Sequence, residues 1–450
     1  MTHGRPAAIP HADGHWLWGS ARDMARMPHR FPAELAWRHG GLARFRILHR
    51  RFVAVAHPDY AAHILVARHE RYARSFQYRN QQVVVGKGLL STDGDGWLKR
   101  RRQALPAFRT ESLQRIVPAA AQATGALLAR WEQERHRSRP VPVVAEMRRL
   151  AMAVIGRALL STDLDEAESA QFGQAVVDAL TLIRERNTSI VRLPLAFPSR
   201  HNRRLHETRA ILDRYVERHL AERRAGLERP DILGALREAR DPDTGEALGH
   251  QALLDETKTL FVAGFETTAT ALAWTLYLLA RHPEAAARWH AEVDAVLNGA
   301  VPAWDDLDRL TWTTQVVNEA LRLYPPVYNM ARECLEDDLV DGRAIGRGDV
   351  ALISIYGIHR GDEWWSEPLA FRPERFDASR DRPQQAFLPF GIGKHVCIGA
   401  RFSMIEMKMV LAMIGQRYRL KLASDREVGE TARITLAPAG EIHIELAPRA

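Results

Sequence analysis

Cysteine is scarce in this chain. Only Cys334 and Cys397 occur among its 450 residues, and they lie far apart and form no CxxC pair. A structural zinc site needs closely spaced ligands and a disulfide framework needs a paired set of cysteines, so both are disfavoured. The composition therefore indicates a reducing compartment, and a cytoplasmic location is expected.

The chain also lacks a long uninterrupted apolar run. Its opening stretch, MTHGRPAAIPHADGHW, has no apolar core of the length that a signal peptide or membrane anchor needs. The longest apolar stretch, at 259–280, is as long as a transmembrane span, but Glu266 and five threonines interrupt it. Because charge inside a membrane is rare, the stretch predicts a buried central helix, with a membrane span as the weaker alternative.

Basic charge is not gathered into a tail or block. The net charge of +8 comes almost wholly from arginines that are scattered over many segments, without interleaved aromatic residues. This pattern disfavours a nucleic-acid-binding protein. It favours a solvated basic surface, which could include a patch for an acidic protein partner.

Internal repeats and low-complexity linkers are absent from the sequence. A length of 450 residues alone suggests two or three domains, but large helical enzymes can form one continuous body. With 46% apolar and 26% charged residues, the composition is that of a soluble globular chain. We therefore predict a single catalytic domain over residues 1–450.

Strand patterns are few. Residues 43–56 alternate apolar and polar positions on both sides of a basic turn and predict a hairpin, and residues 432–446 do the same around a Pro-Ala-Gly turn. A further strand is predicted at 349–357. Almost all other segments repeat apolar residues at intervals of three and four, which is typical of helices. The expected fold class is mainly α with small β-sheets.

Cys397 lies in a glycine-rich loop just before a helical pattern that starts at Ala400. The free N–H groups and the dipole of a helix N-terminus favour a thiolate. Inert packing and a reactive nucleophile are alternatives, but a rigidly held thiolate suits an axial metal ligand better. Nearby glycines would let the backbone turn sharply and approach a large flat group: Gly391, Gly393 and Gly399.

This loop resembles the haem-binding loop of the cytochrome P450 family. The pattern Phe390-x-x-Gly393-x-His395-x-Cys397-x-Gly399 matches the family, with His395 at a position that usually holds arginine. The resemblance implies the cytochrome P450 fold, with the long central helix over the haem. It also implies haem b as cofactor, Cys397 as axial ligand of its iron, and a haem-binding role for Phe390, Gly391, His395 and Gly399.

A second segment of the resemblance lies inside the apolar helix. Residues 263–268, AGFETT, resemble the family's acid–threonine segment. The Thr267 hydroxyl can donate to the Ala263 carbonyl, and Gly264 permits local opening of the helix. By resemblance, Ala263 and Gly264 border the oxygen-binding groove, Thr267 hydrogen-bonds the oxygen being activated, and Glu266 relays protons from solvent. The alternative is a threonine-rich buried helix with a solvated glutamate.

Two further matches concern the haem propionates. Trp97 and Arg101, in the segment GWLKRRRQALPAF, share one helix face. By resemblance both reach one propionate, while Arg332 contacts the other with the assistance of His395. Arginine suits this role because its planar fork engages a carboxylate bidentately. The neighbouring Arg100 and Arg102 are expected to face solvent.

An ion-pair motif completes the resemblance. Glu319 and Arg322 match the family's E-x-x-R pattern, and Arg375 lies in the segment FRPERF that joins this pair in the family. The role implied for the three residues is structural rather than catalytic, since they would lock the fold behind the cysteine loop.

The predicted activity is that of a haem-thiolate monooxygenase. It would insert one oxygen atom from O2 into a hydrophobic molecule, with hydroxylation as the expected outcome. No reductase domain fits, so NAD(P)H electrons would arrive through ferredoxin and ferredoxin reductase, or through a flavodoxin-type donor. A soluble monomer of the bacterial type, without a membrane anchor, is expected. A basic face would attract the donor, formed by Lys99, Arg100, Arg102, Lys394, Arg401 and Lys408.

The substrate pocket is predicted from family topology. It would draw on residues 76–89 and 178–198 and on five single residues that are mostly apolar or small, namely Phe261, Ala263, Val327, Asn329 and Pro438. A hydrophobic substrate follows, and a terpenoid or fatty-acyl compound is preferred over a steroid or polyketide. A peroxide-driven haem-thiolate enzyme and a non-catalytic haem sensor or carrier are the alternative functions.

Overall fold

The computed structural model describes residues 7–162, 166–189, 193–380 and 384–449. The chain divides into two compact units. Each unit is discussed only for the residues that the structure describes. The sheet unit comprises Met1–Gln77 and Glu319–Cys397, and the helical unit comprises Tyr78–Asn318 and Ile398–Ala450. The mainly helical class with small sheets is confirmed, whereas the single catalytic domain stays a prediction.

The helices occupy most of the described chain. In chain order they are α1 (Ala21–Arg26), α2 (Arg30–Trp37), α3 (Pro58–Ala62), α4 (Phe76–Val85), α5 (Gly94–Ala104), α6 (Thr110–Gln114), α7 (Ile116–His136), α8 (Val143–Leu160), α9 (Glu166–Thr188), α10 (Arg200–Arg224), α11 (Ile232–Glu238), α12 (His250–Arg281), α13 (Pro283–Leu297), α14 (Thr311–Leu323), α15 (Ile355–Ile358) and α16 (Ala400–Arg417).

The strands are short. They are β1 (Leu42–Ile47), β2 (Arg50–Val55), β3 (Tyr72–Arg74), β4 (Val141–Pro142), β5 (Asn329–Cys334), β6 (Asp338–Val340), β7 (Arg343–Ile345), β8 (Val350–Ser354), β9 (Tyr418–Leu422), β10 (Glu430–Ala432), β11 (Leu436–Pro438) and β12 (His443–Pro448).

The sheet unit is built on a five-stranded sheet of order β1-β2-β8-β5-β3. Strands β1 and β2 pair antiparallel from Leu42 opposite Val55, as the alternating pattern at 43–56 predicts, and β8 lies parallel to β2. Alternate residues of β8 enter different hydrophobic clusters, Ile353 in one and Leu352 in the other. Both faces of the sheet are therefore buried, which explains the continuous apolar run in β8.

The sequence predicts that residues 432–446 form one hairpin, and this prediction is wrong because its two predicted strands do not pair with each other. Strand β10 pairs with β11 around a tight turn, while β12 pairs with β9 and β4 instead. The register places Ile444 opposite both Leu422 and Val141. Alternating polarity shows which side chains share a face, but the choice of partner strand depends on segments far away in the sequence.

Helix α12 is the central helix of the helical unit, and its presence confirms the helix predicted from the apolar run. Its buried threonines are satisfied within the helix, since the hydroxyls of Thr257 and Thr275 each lie 2.7 Å from the carbonyl oxygen four residues earlier. Among the residues that the structure describes, no helix is both long and apolar enough to cross a membrane.

Candidate active site

The loop that carries Cys397 is fixed by its own backbone. The Cys397 N–H donates to the Phe390 carbonyl oxygen at 2.9 Å, and the Gly391 N–H donates to Leu388 at 3.1 Å. Gly393 has φ +72°, and a Cβ atom there would lie 2.3 Å from the Leu65 carbonyl oxygen, so no other residue fits without movement. The Cys397 thiol itself is exposed. The loop therefore presents this sulfur from a rigid frame.

The second cysteine is not a competing ligand. Cys334 is 1% exposed, and its thiol donates to the Glu336 carbonyl oxygen at 2.8 Å. Burial raises the pKa of the Cys334 thiol to about 11, so the thiol stays protonated at neutral pH.

The predicted ion-pair motif lies behind the cysteine loop, within the sheet unit. Arg322 Nε lies 2.7 Å from Glu319 Oε2, and Arg375 Nε lies 3.2 Å from Glu319 Oε1. Both Glu319 and Arg322 are fully buried. Arg322 Nη1 also donates to the His359 carbonyl oxygen at 2.8 Å, which ties the pair to the next part of the network.

His359 connects this pair to the loop, and sequence analysis missed it. Its Nε2 accepts the Leu388 N–H at 2.7 Å, and Leu388 in turn accepts the Gly391 N–H. Burial, assisted by the positive charge of Arg322, lowers the pKa of His359 to about 3. A neutral imidazole can accept the Leu388 N–H, whereas an imidazolium cannot. No sequence motif marks this histidine, because its role depends on contacts far apart in the chain.

Helix α12 carries one strip that is not buried. Every residue from Leu253 to Leu279 is buried except three, and the structure describes this whole span. The three are Ala263, Gly264 and Thr267, which lie on one face of the helix because Thr267 is four positions after Ala263 and three after Gly264. The Thr267 hydroxyl donates to the Ala263 carbonyl oxygen at 2.7 Å, as expected. Ala263 and Thr267 are thus left partly uncovered on this face, whereas Gly264 lies close to Ile155 of α8.

Glu266 is paired with an arginine that sequence analysis missed. Arg148 Nη2 lies 2.8 Å from Glu266 Oε1, and Arg148 Nε lies 3.2 Å from Oε2. The Glu266 side chain is 8% exposed and the Arg148 side chain 34%. This fork explains how a carboxylate is accommodated in an apolar helix. The solvated glutamate of the alternative interpretation is not what the structure shows.

The residues predicted to reach haem propionates are split between the two units. In the helical unit, Trp97 is buried and Arg101 half-buried on the same face of α5. In the sheet unit, Arg332 is buried on β5, and the half-buried His395 belongs to the cysteine loop. Trp97 and Arg101 lie on helix α5, Arg332 lies on strand β5, and His395 lies on the hydrogen-bonded cysteine loop. The backbone of each residue is therefore held by its secondary structure or by this loop.

The basic side chains of α5 contact carboxylates, which corrects the expectation that they face solvent. Arg102 Nε and Nη2 lie 3.1 and 2.9 Å from Oδ2 of the fully buried Asp241. Arg102 also contacts Asp243, Lys99 contacts Glu246, and Arg100 contacts Glu256. These cations hold the helical unit together, because their partners come from other segments.

The three other residues of the predicted basic face differ in how far their side chains are exposed. Lys408 is half-buried and donates to the Leu307 carbonyl oxygen at 2.7 Å, and burial lowers its pKa. Arg401 and Lys394 are exposed, although Arg401 Nη1 also donates to Thr110 at 3.3 Å. Fewer free cations are therefore offered to a partner than the sequence predicts.

Phe261 is predicted to line the substrate pocket, but its side chain packs inside the helical unit. Its side chain is fully buried, with ring centroids 4.9 Å from Phe172 and 6.1 Å from Tyr215. An aromatic cluster of three helices encloses it, so it acts as core in this structure. Family topology predicted the pocket role, and an apolar side chain at this position is equally typical of a helix core.

The remaining single pocket residues have mixed environments. Asn329 Nδ2 donates to the Pro28 carbonyl oxygen at 2.8 Å, so this amide supports the backbone where a substrate contact was predicted. Val327 is 39% exposed, whereas Pro438 is buried in β11. Ala263, in contrast, lies on the open strip of α12.

The two predicted pocket segments are described only in part. Residues 190–192 of the segment 178–198 lie outside the described residues. The segment 76–89 contains α4 and a turn that is fixed to α12, because the Lys87 N–H donates to Asp255 Oδ2 at 2.8 Å.

The residues present fit a haem group. The sheet unit supplies an exposed thiol on a loop that backbone hydrogen bonds hold in place. The helical unit supplies a partly exposed helix face on which Thr267 offers a hydroxyl. A thiolate sulfur is a soft ligand suited to haem iron, as the chemistry of haem-thiolate proteins requires.

The family model described as Cytochrome P450 matches residues 9–440. The chain belongs to the cytochrome P450 family. The cyclooctat-9-en-7-ol 5-monooxygenase of Streptomyces melanosporofaciens is 31% identical over 93% of this chain and 90% of its own length. The cyclooctatin synthase of the same organism is 32% identical over 99% of this chain and 96% of its own length.

Solved structures agree with this assignment. The crystal structure of the cytochrome P450DA haem domain is similar with a TM-score of 0.88 and 28% identity, over 98% of this chain and 97% of that one. This cytochrome P450 is therefore an oxidoreductase of the class that incorporates oxygen from O2, as the sequence predicted. The family uses haem and receives electrons from NAD(P)H through redox partners.

Proposed function

We propose that this cytochrome P450 hydroxylates a hydrophobic small molecule of terpenoid or fatty-acyl type, using O2 and electrons from a separate redox protein. The observation that carries this proposal is the open strip of Ala263, Gly264 and Thr267 on the otherwise buried span of α12. A carrier that only stores haem has no need of a hydroxyl and a carboxylate next to each other on this helix.

The cofactor residues are proposed as follows. Cys397 would bind the iron of haem b, and Trp97, Arg101, Arg332 and His395 would hold the propionates. When bound, haem supplies the chemistry that reduces and cleaves O2 and oxidises a C–H bond. The protein supports this chemistry with a thiolate held by a fixed loop, since a sulfur that moved could not maintain a constant ligand bond.

Thr267 and Glu266 are proposed to manage protons. Incorporation of one oxygen atom consumes two protons and two electrons per O2 and releases the second oxygen atom as water. The Thr267 hydroxyl can donate a hydrogen bond towards the strip when it leaves the Ala263 carbonyl, and Glu266 is the nearest carboxylate in the sequence. Arg148 positions Glu266 and reaches solvent with its partly exposed side chain. Protons from solvent would be taken up by the Glu266 carboxylate, which Arg148 holds in place without itself releasing a proton.

The substrate class is inferred from two sources. The strip of α12 is apolar apart from one hydroxyl, which favours an apolar ligand. The name of one relative also states oxygenation of cyclooctat-9-en-7-ol, an unsaturated alcohol. An electron donor of the ferredoxin or flavodoxin type, with its reductase, is proposed because members of this family receive electrons from redox partners. Arg401 and Lys394 are the exposed cations of the predicted face that could attract it.

The test combines ligand titration with turnover. A panel of terpenoid alcohols and fatty acids is titrated into the purified haem-loaded protein, and a blue shift of the Soret band identifies the compound that binds. Product and NADPH consumption are then measured with ferredoxin and ferredoxin reductase. If product forms with peroxide but never with the redox chain, the protein is a peroxygenase and this proposal is wrong. If neither assay gives an oxidised product, a haem carrier is favoured.

A matched pair of variants tests the role of the strip. Thr267→Ala and Thr275→Ala remove the same hydroxyl-to-carbonyl hydrogen bond from the same helix, but only Thr267 lies on the strip. We expect Thr267→Ala to keep consuming NADPH while its rate of product formation falls by about a hundredfold or more, the usual contribution of a positioned proton donor. Thr275→Ala keeps the wild-type ratio of product to NADPH. Equal ratios in both variants would refute the assignment of Thr267.

A further inference from the structure

A turn near the start of the described chain displays three adjacent apolar side chains. Trp16 is 80% exposed, Leu17 42% and Trp18 44%. Tryptophan is usually largely buried, so two exposed indoles within three residues form an unusual surface. The turn runs from His15 to Gly19, which form two backbone hydrogen bonds with each other at 3.1 and 2.8 Å.

The turn is held in shape by groups other than these three side chains. Arg46 of β1 donates to the carbonyl oxygens of His15 at 3.1 Å, Trp16 at 2.7 Å and Leu17 at 3.1 Å. His15 Nδ1 accepts the N–H groups of Leu17 and Trp18 at 3.2 and 3.3 Å. The apolar side chains are thus presented on a preformed backbone, and little further ordering is needed for them to bind a surface.

Positive charge is concentrated in the part of the sequence that contains this turn. Residues 11–51 contain eight arginines and three carboxylates, a net +5 out of +8 for the whole chain. Asp349 pairs with Arg44 and Arg51, which reduces this local excess by one. On α1, which follows the turn directly, Arg22 and Arg26 are exposed and share one helix face. The acidic residues Asp13 and Asp23 are exposed as well, but they are outnumbered.

We propose that the tryptophan patch, defined as Trp16, Leu17, Trp18, Arg22 and Arg26, docks the protein on the surface of an anionic lipid bilayer. Indole rings prefer the depth of the headgroups, where their apolar body and N–H group are both accommodated. Arginine heads pair with lipid phosphates while their stems lie along the acyl boundary.

A bilayer fits these observations better than a protein partner. Three neighbouring side chains on a turn insert readily into a soft, deformable surface, whereas a protein would need a matching groove. The excess of arginine complements the negative potential of anionic headgroups. Attachment of this kind lies beyond the oxygenation chemistry, and it would place the enzyme next to the phase in which hydrophobic compounds dissolve.

The test is sedimentation of the haem-loaded protein with lipid vesicles. Vesicles of phosphatidylcholine with phosphatidylglycerol are compared with vesicles of phosphatidylcholine alone, at low and high salt. We expect binding to the anionic vesicles that weakens as salt is raised. The double variant Trp16→Ala/Trp18→Ala should bind about tenfold more weakly, because the indole area no longer enters the interface. Arg22→Ala and Arg26→Ala should each weaken binding about fivefold.

Trp37→Ala is the matched control, since Trp37 is also an exposed tryptophan of the sheet unit, at 40%, but lies outside the patch. It should bind vesicles like the wild type. The proposal is overturned if the wild type does not bind anionic vesicles at low salt, or if the tryptophan double variant binds as well as Trp37→Ala. Slower turnover of the double variant with soluble redox proteins, in the absence of lipid, would instead identify a protein-docking surface.

Discussion

Arg148 on α8 holds Glu266 on α12 with a two-pronged fork, at 2.8 Å from Nη2 to Oε1 and 3.2 Å from Nε to Oε2. The carboxylate thereby gains a partner at the point where its helix is otherwise apolar. Because Glu266 directly precedes Thr267, Arg148 determines where the acidic group lies relative to the open strip. We expect Arg148 to be a positioning residue for proton delivery.

Replacing Arg148 by glutamine tests this role. Arg148→Gln removes the fork and leaves Glu266 with weaker hydrogen bonds, so the stability cost should be about 1–3 kcal/mol. The fraction of NADPH converted to product should fall, and the solvent isotope effect on turnover should rise. Arg149→Gln is the control, because Arg149 contacts Glu146 at 3.0 Å and is half exposed. If both variants show the same coupling and isotope effect, the Arg148 pair is only structural.

The buried Glu319–Arg322 pair predicts a large loss of stability on substitution. Glu319→Gln leaves the fully buried Arg322 without its counter-charge, and breaking a buried ion pair in this way costs roughly 3–5 kcal/mol. We expect weaker haem retention and a lower urea midpoint. Glu367→Gln alters the exposed pair with Arg372 and should cost less than about 1 kcal/mol. Similar midpoints for the two variants would contradict a structural lock at Glu319.

The cysteine loop should be sensitive to a single methyl group at Gly393. Gly393→Ala places a Cβ atom 2.3 Å from the Leu65 carbonyl oxygen, in addition to the strain of φ +72°. Gly348→Ala is matched to it, since Gly348 has φ +82° and open space around it. The left-handed backbone alone costs about 1–2 kcal/mol, and the clash adds roughly 1–3 kcal/mol. We expect Gly393→Ala to lose haem and Gly348→Ala to retain it, as measured by the ratio of Soret absorbance to protein concentration.

The pKa of His359 predicts a pH dependence of stability. Burial lowers its pKa from an ordinary 6.5 to about 3, so the unfolded chain binds a proton more readily than the folded one. The stabilising contribution is fully present above about pH 6.5 and is lost as the pH falls towards 3, with a slope of up to about 1.4 kcal/mol per pH unit.

Comparison with a non-titrating variant isolates this contribution. His359→Gln retains an oxygen that can accept the Leu388 N–H but cannot titrate. The free energy of unfolding, measured with urea from pH 7 to pH 4, should therefore fall more steeply for the wild type than for His359→Gln. Parallel curves would show that His359 does not contribute to acid unfolding.

Several features were predictable because they depend on neighbouring residues. The hairpin at 43–56 follows from strict alternation, the central helix from a long apolar run, and the cysteine loop from a motif of closely spaced residues. The same type of reasoning was wrong for the pairing at 432–446, where β12 joins β9 and β4. The pocket role of Phe261 was predicted from family topology instead, and its ring packs against Phe172 and Tyr215.

The sequence by itself determined the fold class and the family, because helix periodicity and motif spacing are local properties of the chain. Only the tertiary structure decided that Arg148 pairs with Glu266, that His359 connects the buried ion pair to the cysteine loop, and that three residues of α12 stay open. These relationships join residues from distant parts of the chain. They are set by which surfaces pack together, and no local pattern records that choice.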